Sequence, residues 1–226
     1  MLGWIIWKER GKARREICSV RGVPFYRLET PPPRSFWQRR RFFRQAEEMH
    51  RHGVYQVVVQ GEGNGALLWQ AGLTEVEVAP LRLALLPQLL DYVQRERHIP
   101  LCTAAVCLRG KSADADTFRA AQILAHRVRY LHLALETGQA ELEEVLRRRY
   151  GLGVGGGQVA VEVCAGVEDS GTLPALHLGR GCAARQKILL HCTDPEGVDE
   201  QLLAALFQAG KLEAGQFAVK SVGFRA

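Results

Sequence analysis

The feature that most constrains the fold of this chain is a regular alternation of apolar runs and helical patterns over residues 101–164. The apolar runs at 101–108, 130–135 and 159–163 have the length and composition of buried strands, and the segments between them carry helical periodicity. Strands that alternate with helices form parallel sheets, because each helix carries the chain back to the start of the next strand. We therefore predict an α/β fold with a Rossmann-like domain over 99–226.

Residues 1–98 are predicted to form a separate N-terminal domain. Three short apolar runs within 3–29 are separated by Arg-Gly turns, which predicts an antiparallel β-meander. A capping-box pattern then predicts a helix over 35–52, and the apolar run 54–60 begins a smaller α/β unit. The complete prediction is a three-layer, Rossmann-like and mostly parallel sheet, preceded by this β-meander and the smaller N-terminal α/β unit.

A glycine-rich segment follows the run 54–60, and its residues Gly61, Gly63 and Ala66 match the dinucleotide-binding pattern Gly-x-Gly-x-x-Ala, with Gly65 as a third glycine. In that pattern the glycines let the backbone approach a pyrophosphate, which lies at the start of the next helix. Here the helical pattern ends before Gly72, which is short for a crossover in a parallel sheet. These glycines are candidate cofactor-binding residues, and a glycine-rich connector without a ligand is the alternative.

A second candidate site lies where the strands of the Rossmann-like domain end. Ligands of open α/β sheets bind outside the carboxyl ends of the strands, which selects Arg109, Lys111, Ser112 and Glu136 as candidate binding residues. Only one glycine, Gly110, stands near the first turn, and acidic residues begin the following helix, where they repel phosphate. The prediction is a degenerate nucleotide-binding fold, with no cofactor.

The sequence contains no motif that identifies an enzyme. Its 6 cysteines include no Cys-x-x-Cys pair, which indicates reduced thiols, and the histidines lack the spacing of metal ligands. Cys164 is the one thiol that we consider reactive; Glu168, Asp169 and Ser170 follow it, but the sequence identifies no base for it. We predict no catalytic residue and no metal, and leave open whether the protein is an enzyme.

The predicted helix 35–52 lies in a basic part of the chain. Residues 1–52 hold thirteen Lys/Arg and five Asp/Glu, whereas the whole chain has a net charge of +6. At roughly 100° per residue, Arg40, Arg44 and Arg51 share one side of the helix close to an aromatic residue. Arginines beside an exposed aromatic ring can bind nucleic acid through phosphate contacts and base stacking. The alternative is a solvated or internally paired surface.

These patterns favour a cytoplasmic protein, since no apolar stretch approaches the roughly 18 residues of a membrane span and no signal peptide is evident. We predict a non-catalytic or regulatory role, in which the Rossmann-like domain binds a small ligand or another protein. The alternative is an enzyme that binds a nucleotide or a phosphorylated metabolite in the crevice between the two halves. Nucleic-acid binding through the helix 35–52 comes third. The partner is unidentified: a small anionic ligand or a protein is favoured over nucleic acid, and no membrane partner is predicted.

Overall fold

The computed structural model describes residues 1–61, 65–100, 103–179, 186, 188–192 and 199–223. Its contacts divide the chain into two units, each of which contains a segment from the C-terminal part of the sequence. The first unit comprises 1–77 and 198–213, and the second comprises 78–197 and 214–226. The division of the chain into folding domains 1–98 and 99–226 stays a prediction.

Among the described residues, the first unit is built on a five-stranded sheet. Its strands are β1 (Leu2–Trp7), β2 (Arg14–Val20), β3 (Val23–Thr30), β4 (Gln56–Gln60) and β5 (Thr74–Glu75). Their order is β2-β3-β1-β4-β5. Every neighbouring pair is parallel except β2 and β3, which form an antiparallel hairpin.

The predicted β-meander over 3–29 is correct for β2 and β3 and wrong for β1. The turn at Arg21 and Gly22 joins β2 to β3 as expected. β1 instead lies on the far side of β3 and pairs in parallel with both β3 and β4. Ile5 in β1 is fully buried, so this strand takes a central position in which two neighbours satisfy its backbone groups. The more exposed and arginine-rich β2 suits the edge of the sheet.

Helix α1 (Phe36–Arg51) packs its apolar side into the core of the first unit. Ser35 and Gln38 form the predicted capping box, in which each side chain accepts the other residue's backbone N–H. Phe42, Ala46 and Met49 recur at helical spacing and join the buried residues of the sheet in one cluster. The other helices of this unit are α2 (Gly65–Gln70) and α7 (Glu200–Gln208).

A side chain replaces part of a strand at the edge of the first sheet. β5 pairs with Gln56 and Val57 of β4. One further backbone hydrogen bond follows the end of β5, in which the Val76 N–H donates to the Val57 carbonyl. The next rung is bridged by Gln201 of α7, whose Oε1 accepts the Val59 N–H at 2.7 Å and whose Nε2 donates to the Val76 carbonyl at 3.0 Å. Gln201 is 1% exposed, so both backbone groups depend on its amide rather than on water.

The second unit contains, within the described residues, a five-stranded parallel sheet. Its strands are β6 (Ala105–Ser112), β7 (Tyr130–Thr137), β8 (Gly153–Val154), β9 (Val159–Ala165) and β10 (Ala175–His177). Their order is β8-β7-β6-β9-β10, and every neighbouring pair is parallel. From the central β6, the chain adds β7 and β8 on one side of the sheet and then β9 and β10 on the other. This is the strand order of a Rossmann-like sheet. The predicted α/β class, with parallel sheets flanked by helices, is confirmed.

The described helices of the second unit connect or flank these strands. They are α3 (Ala79–Ala84), α4 (Leu86–Arg97), α5 (Ala115–Ala125) and α6 (Gln139–Tyr150). Pro87 lies in the first turn of α4, where a missing backbone N–H has no intrahelical partner to lose. β11 (Ile188–Cys192) and β12 (Phe217–Val222) form a separate antiparallel pair. None of the described helices is long and apolar enough to cross a membrane.

The glycine run after α6 passes an aromatic ring at the amino-terminal end of the second sheet. The Gly156 carbonyl lies 3.0 Å from His132 Nε2. A Cβ on Gly156 or Gly157 would lie 2.7 or 2.9 Å from ring atoms of Tyr130. Glycine is therefore required where the chain crosses the ends of β7 and β6 on its way from β8 to β9.

Candidate ligand-binding site

The second sheet has one apolar face and one polar face. Alternate residues of a strand share a face of the sheet. In the pairing of β6 with β9, Cys107 lies beside Glu162 and Arg109 lies beside Cys164. In the pairing of β9 with β10, Cys164 lies beside His177. We call the side defined by these five residues the polar face. The intervening positions form the apolar face, which consists of the buried residues Val106, Leu108, Leu131, Leu133, Val161, Val163 and Leu176.

Helix α5 lies on the apolar face. A Cβ on Gly110 would lie 3.1 Å from Leu135 Cδ2 and 3.4 Å from Thr117 Oγ1, which places Thr117 of α5 on the same side as Leu108. α5 and α6 contact each other as well as β6 and β7. The polar face of β6 is therefore turned away from α5.

Arg109 and Glu162 form an ion pair between β6 and β9. Arg109 Nη1 lies 3.6 Å from Glu162 Oε1, and the Arg109 side chain is 35% exposed whereas that of Glu162 is 4% exposed. The other carboxylate oxygen of Glu162 accepts the Ser170 N–H at 2.8 Å. β7 lies on one side of β6, and β9 lies on its other side. The Arg109–Glu162 pair therefore lies where the strand order reverses direction, and ligands of such sheets bind at this position.

Asp169 and His177 form a second buried pair, one strand further from β6. Asp169 Oδ2 lies 2.9 Å from His177 Nε2, with side chains that are 9% and 4% exposed. Asp169 Oδ1 also accepts the Gly171 N–H at 2.9 Å. Since the carboxylate accepts at Nε2, a neutral His177 carries its proton there and leaves Nδ1 as an acceptor. This Nδ1 is buried and has no hydrogen-bond partner in the described part of the chain.

A buried arginine holds the strand that carries His177. Arg82 of α3 is 6% exposed and donates from its two terminal nitrogens to the carbonyls of His177 and Gln186, at 2.8 and 2.9 Å. The Gln186 side chain accepts the His177 N–H at 2.9 Å and donates to the Ala175 carbonyl at 2.7 Å. These hydrogen bonds satisfy backbone groups of β10 and fix the position of His177.

The two cysteines of the polar face are buried and are not in disulfides. Burial raises the pKa of the Cys107 thiol, and the negative charge of Glu162 raises it further, whereas Arg109 lowers it. Cys107 is therefore protonated at neutral pH. Cys164 has His177 as a cross-strand neighbour, which the sequence did not reveal, but its complete burial keeps solutes away from the thiol.

The predicted binding residues at the strand ends divide between the two faces. Lys111 continues the polar face beyond Arg109, and the β6–β7 register places Glu136 beside Lys111. Lys111 and Glu136 are both exposed. Ser112 lies on the opposite face, and its hydroxyl donates to Asp114 Oδ2 at 3.4 Å. The structure thus places Arg109, Lys111 and Glu136 on one surface and separates Ser112 from them.

The glycine pattern after β4 lies at the carboxyl end of the first sheet, and Gly63 is outside the described residues. A Cβ on Gly61 would lie 3.2 Å from the Trp7 carbonyl oxygen, so close approach to β1 accounts for this glycine. Gly65 begins α2, which is only 6 residues long. A helix of this length has few aligned peptide dipoles to bind a pyrophosphate. A cofactor role for these glycines stays a prediction.

The amino end of α5 is capped by the protein's own carboxylate. Asp114 Oδ1 accepts the Thr117 N–H at 2.8 Å. This hydrogen bond holds the pKa of Asp114 below its usual value, although partial burial opposes the shift. Asp116 adds a second negative charge to the first turn. A phosphate at this helix start would meet two carboxylates.

We expect Asp114→Ala to lower the free energy of unfolding by about 1 kcal/mol at neutral pH, as the loss of an N-cap usually does. A carboxyl whose pKa is lowered by folding stabilises the protein above its unfolded-state pKa, and this stabilisation is lost as the pH falls through the lowered value. The difference between wild type and variant should therefore shrink below about pH 4. Urea unfolding, followed by circular dichroism at several pH values, measures this difference; one that did not change with pH would contradict the assignment.

The arginines of α1 that the sequence singled out are accessible. Arg40, Arg44 and Arg51 are exposed and make no ion pair with another described residue. Glu48, on the same helix, pairs with Arg15 instead. The structure does not bear out the internally paired alternative for these three arginines.

Sequence reasoning missed the buried polar residues Arg82, Glu162 and His177. Each interrupts an otherwise apolar run, as Glu162 does in Val-Ala-Val-Glu-Val-Cys-Ala. A polar group at a buried position needs a partner, so these interruptions were the available signal. In the described ranges, no group of 3 or more His, Cys, Asp or Glu residues is placed to hold a metal ion.

No protein-family model and no curated protein matches this chain. Among solved structures, L-tryptophan dehydrogenase from Nostoc punctiforme is similar, with 11% sequence identity and a TM-score of 0.33 over 66% of this chain. The chain covers 46% of that dehydrogenase. A likeness of this size carries no argument about activity, and the strand order and register establish the fold on their own.

Proposed function

We propose that the second unit binds a small anionic metabolite at the carboxyl ends of β6 and β9, without acting on it. The observation that carries this proposal is the pair of cations that β6 presents on the polar face, Arg109 and Lys111. Because the two residues are two positions apart in a strand, their Cα atoms lie about 7 Å apart and their side chains project to the same side of the sheet. A phosphate or carboxylate group can bridge two cations at this spacing.

The neighbours of the two cations indicate the class of ligand. The ion pair with the buried Glu162 holds Arg109 at this end of the sheet, and its 35% exposed side chain leaves N–H groups for a ligand. Lys111 has no ion pair among the described residues and adds charge without a fixed geometry. Glu136 lies beside Lys111 and can accept hydrogen bonds from hydroxyl groups. These contacts favour a phosphorylated or carboxylated metabolite that also carries hydroxyls.

The burial of the reactive side chains supports binding over catalysis. Cys107, Cys164, Glu162 and His177 are each at most 8% exposed. A nucleophile or a general base must come within hydrogen-bond distance of its substrate. The Ser170 N–H donates to Glu162, and Asp169 contacts His177. These two contacts keep the loop 166–174 against β9 and β10. The alternative, an enzyme that binds a nucleotide or a phosphorylated metabolite, would need this loop to open before these side chains could reach the substrate.

We expect Lys111→Gln to weaken the binding of the metabolite about tenfold, which is the size of effect expected when a hydrogen bond to a charged group is lost. A thermal-shift panel of ATP, NADP, S-adenosylmethionine, citrate and inorganic phosphate selects the ligand, and isothermal titration calorimetry gives the affinity. Lys111 is exposed, so the variant should keep the Tm of the wild type. Arg109→Lys, which retains the charge but loses the fork of N–H groups, should also weaken binding.

The matched control is Arg119→Gln on α5, because Arg119 is exposed and its replacement removes the same charge from the same unit. This variant should bind the ligand as the wild type does. A panel without any response would overturn the proposal, and so would equal affinities of wild type and Lys111→Gln.

A further inference from the structure

We propose that the outward side of α1 binds single-stranded nucleic acid. The binding surface consists of Phe36, Trp37, Arg40, Arg44 and Arg51, and we call it the arginine–aromatic surface. At roughly 100° per residue, these positions fall within about 100° of the helix circumference. They extend over about 20 Å of the helix axis. The surface belongs to the first unit and does not depend on the metabolite site proposed for the second.

Two large aromatic side chains are exposed at the start of this surface. Phe36 is 71% exposed and Trp37 is 73% exposed, and their rings meet edge to face with centroids 5.7 Å apart. The capping box of Ser35 and Gln38 fixes the backbone of the first helical turn, from which both rings project. Exposed rings with free faces are the stacking platforms on which single-strand-binding proteins place unpaired bases.

Arginines continue the surface from the two rings along the helix. No acidic residue occurs between positions 34 and 46. Arg40, Arg44 and Arg51 are exposed and unpaired with respect to the described residues. The charge of Glu48 is compensated by Arg15, which leaves Glu47 as the unneutralised acid on this side. The surface therefore carries a net positive charge in a line, which complements a phosphate backbone.

The packing of α1 argues against a membrane as the partner. An interfacial helix inserts its apolar face into the headgroup region. In α1 that face is occupied, because Phe42, Ala46 and Met49 are buried in the core of the first unit. On the outward side of α1, a bilayer could therefore take up only the rings of Phe36 and Trp37. A nucleic acid can contact both these rings and the row of arginines.

The aromatic rings also favour a single strand over a duplex. In a duplex the bases stack on one another and hide their faces, so the rings of Phe36 and Trp37 would have nothing to stack on. The arginines alone would bind both forms through phosphates. A preference for the single strand is therefore the signature of the complete surface.

We expect Trp37→Ala to weaken the binding of a fluorescein-labelled oligothymidine of about 20 nucleotides roughly tenfold, through the loss of one stacking contact. Fluorescence anisotropy measures the affinity over a range of salt from about 50 to 200 mM. Arg40→Gln combined with Arg44→Gln should reduce the slope of log affinity against log salt by about 1.4, since each phosphate contact to a single strand contributes roughly 0.7. These side chains are exposed, so the variants should keep the Tm of the wild type.

The chain offers matched controls for both variants. Trp69→Ala removes a tryptophan of similar exposure, 77%, and Arg147→Gln combined with Arg149→Gln removes the same charge from α6. Both should bind the oligonucleotide as the wild type does. An unchanged affinity of Trp37→Ala would overturn the proposal, as would tighter binding of the corresponding duplex or no binding at about 50 mM salt. Binding to phosphatidylserine vesicles without binding to the oligonucleotide would identify a membrane partner instead.

Discussion

Gln201→Leu is expected to lower the free energy of unfolding of the first unit by about 3 kcal/mol, because it leaves two buried backbone groups without a partner. In the wild type, the amide of Gln201 accepts from the Val59 N–H and donates to the Val76 carbonyl. β5 ends before this rung, so no strand can take over the two groups. Leucine has a similar volume and keeps the apolar packing of α7, and the loss is therefore one of hydrogen bonding.

Tryptophan fluorescence during urea unfolding measures this loss in the first unit alone. The 4 tryptophans of the chain, Trp4, Trp7, Trp37 and Trp69, all lie within residues 1–77. Gln208→Leu on the same helix is the control, because Gln208 is exposed and bonds a single carbonyl, that of Glu77. Its effect should stay within about 0.5 kcal/mol. Equal effects of the two variants would contradict the assigned role of Gln201.

Gly157→Ala is expected to destabilise the second unit by about 3 kcal/mol, through two separate causes. Gly157 has a φ of +77°, a conformation that disfavours any side chain, and its Cβ would lie 2.9 Å from the ring of Tyr130. Neighbouring glycines separate the causes. Gly155 has a φ of +85° with nothing within 4 Å of its Cβ, and Gly156 meets the Tyr130 ring at 2.7 Å without a positive φ.

The three alanine variants should therefore differ in a defined way. We expect Gly155→Ala to show the backbone strain alone, about 1 kcal/mol, and Gly156→Ala to show the steric contact alone, about 2 kcal/mol. In a Tyr130→Ala background the contact is relieved, so Gly156→Ala should become nearly neutral while Gly157→Ala keeps its strain. Denaturant unfolding followed by circular dichroism, with hydrogen exchange of β7, gives these values. A Gly156→Ala effect that persists without the Tyr130 ring would show that the ring is not its cause.

Local patterns predicted the parallel strands β6, β7 and β8 of the second unit because these strands are neighbours both in the sequence and in the sheet. Each helix returns the chain to a strand beside its predecessor, as from β6 through α5 to β7. The position of β1 was not predictable in this way. Its apolar residues indicate a buried strand, but they do not specify β3 and β4 as its neighbours, and the hairpin partner suggested by chain order was wrong.

The candidate site was predictable only in part. The rule that ligands bind at the carboxyl ends of strands selected Arg109, Lys111 and Glu136, which share a surface. It also selected Ser112. Ser112 follows Lys111 directly in β6, and consecutive residues of a strand lie on opposite faces of the sheet. The buried pair of Asp169 and His177 depends on the path of the loop 166–174, and no local pattern encodes that path.

The bridge made by Gln201 has a consequence for the order in which the protein is synthesised and folded. Residues 1–77 contain every strand of the first sheet, yet the amide that completes its edge lies at position 201. During translation the N-terminal strands leave the ribosome long before α7 is made. Until then, the Val59 N–H and the Val76 carbonyl lack the hydrogen bonds that Gln201 makes. A sheet edge with unpaired backbone groups can pair with a strand of another nascent chain.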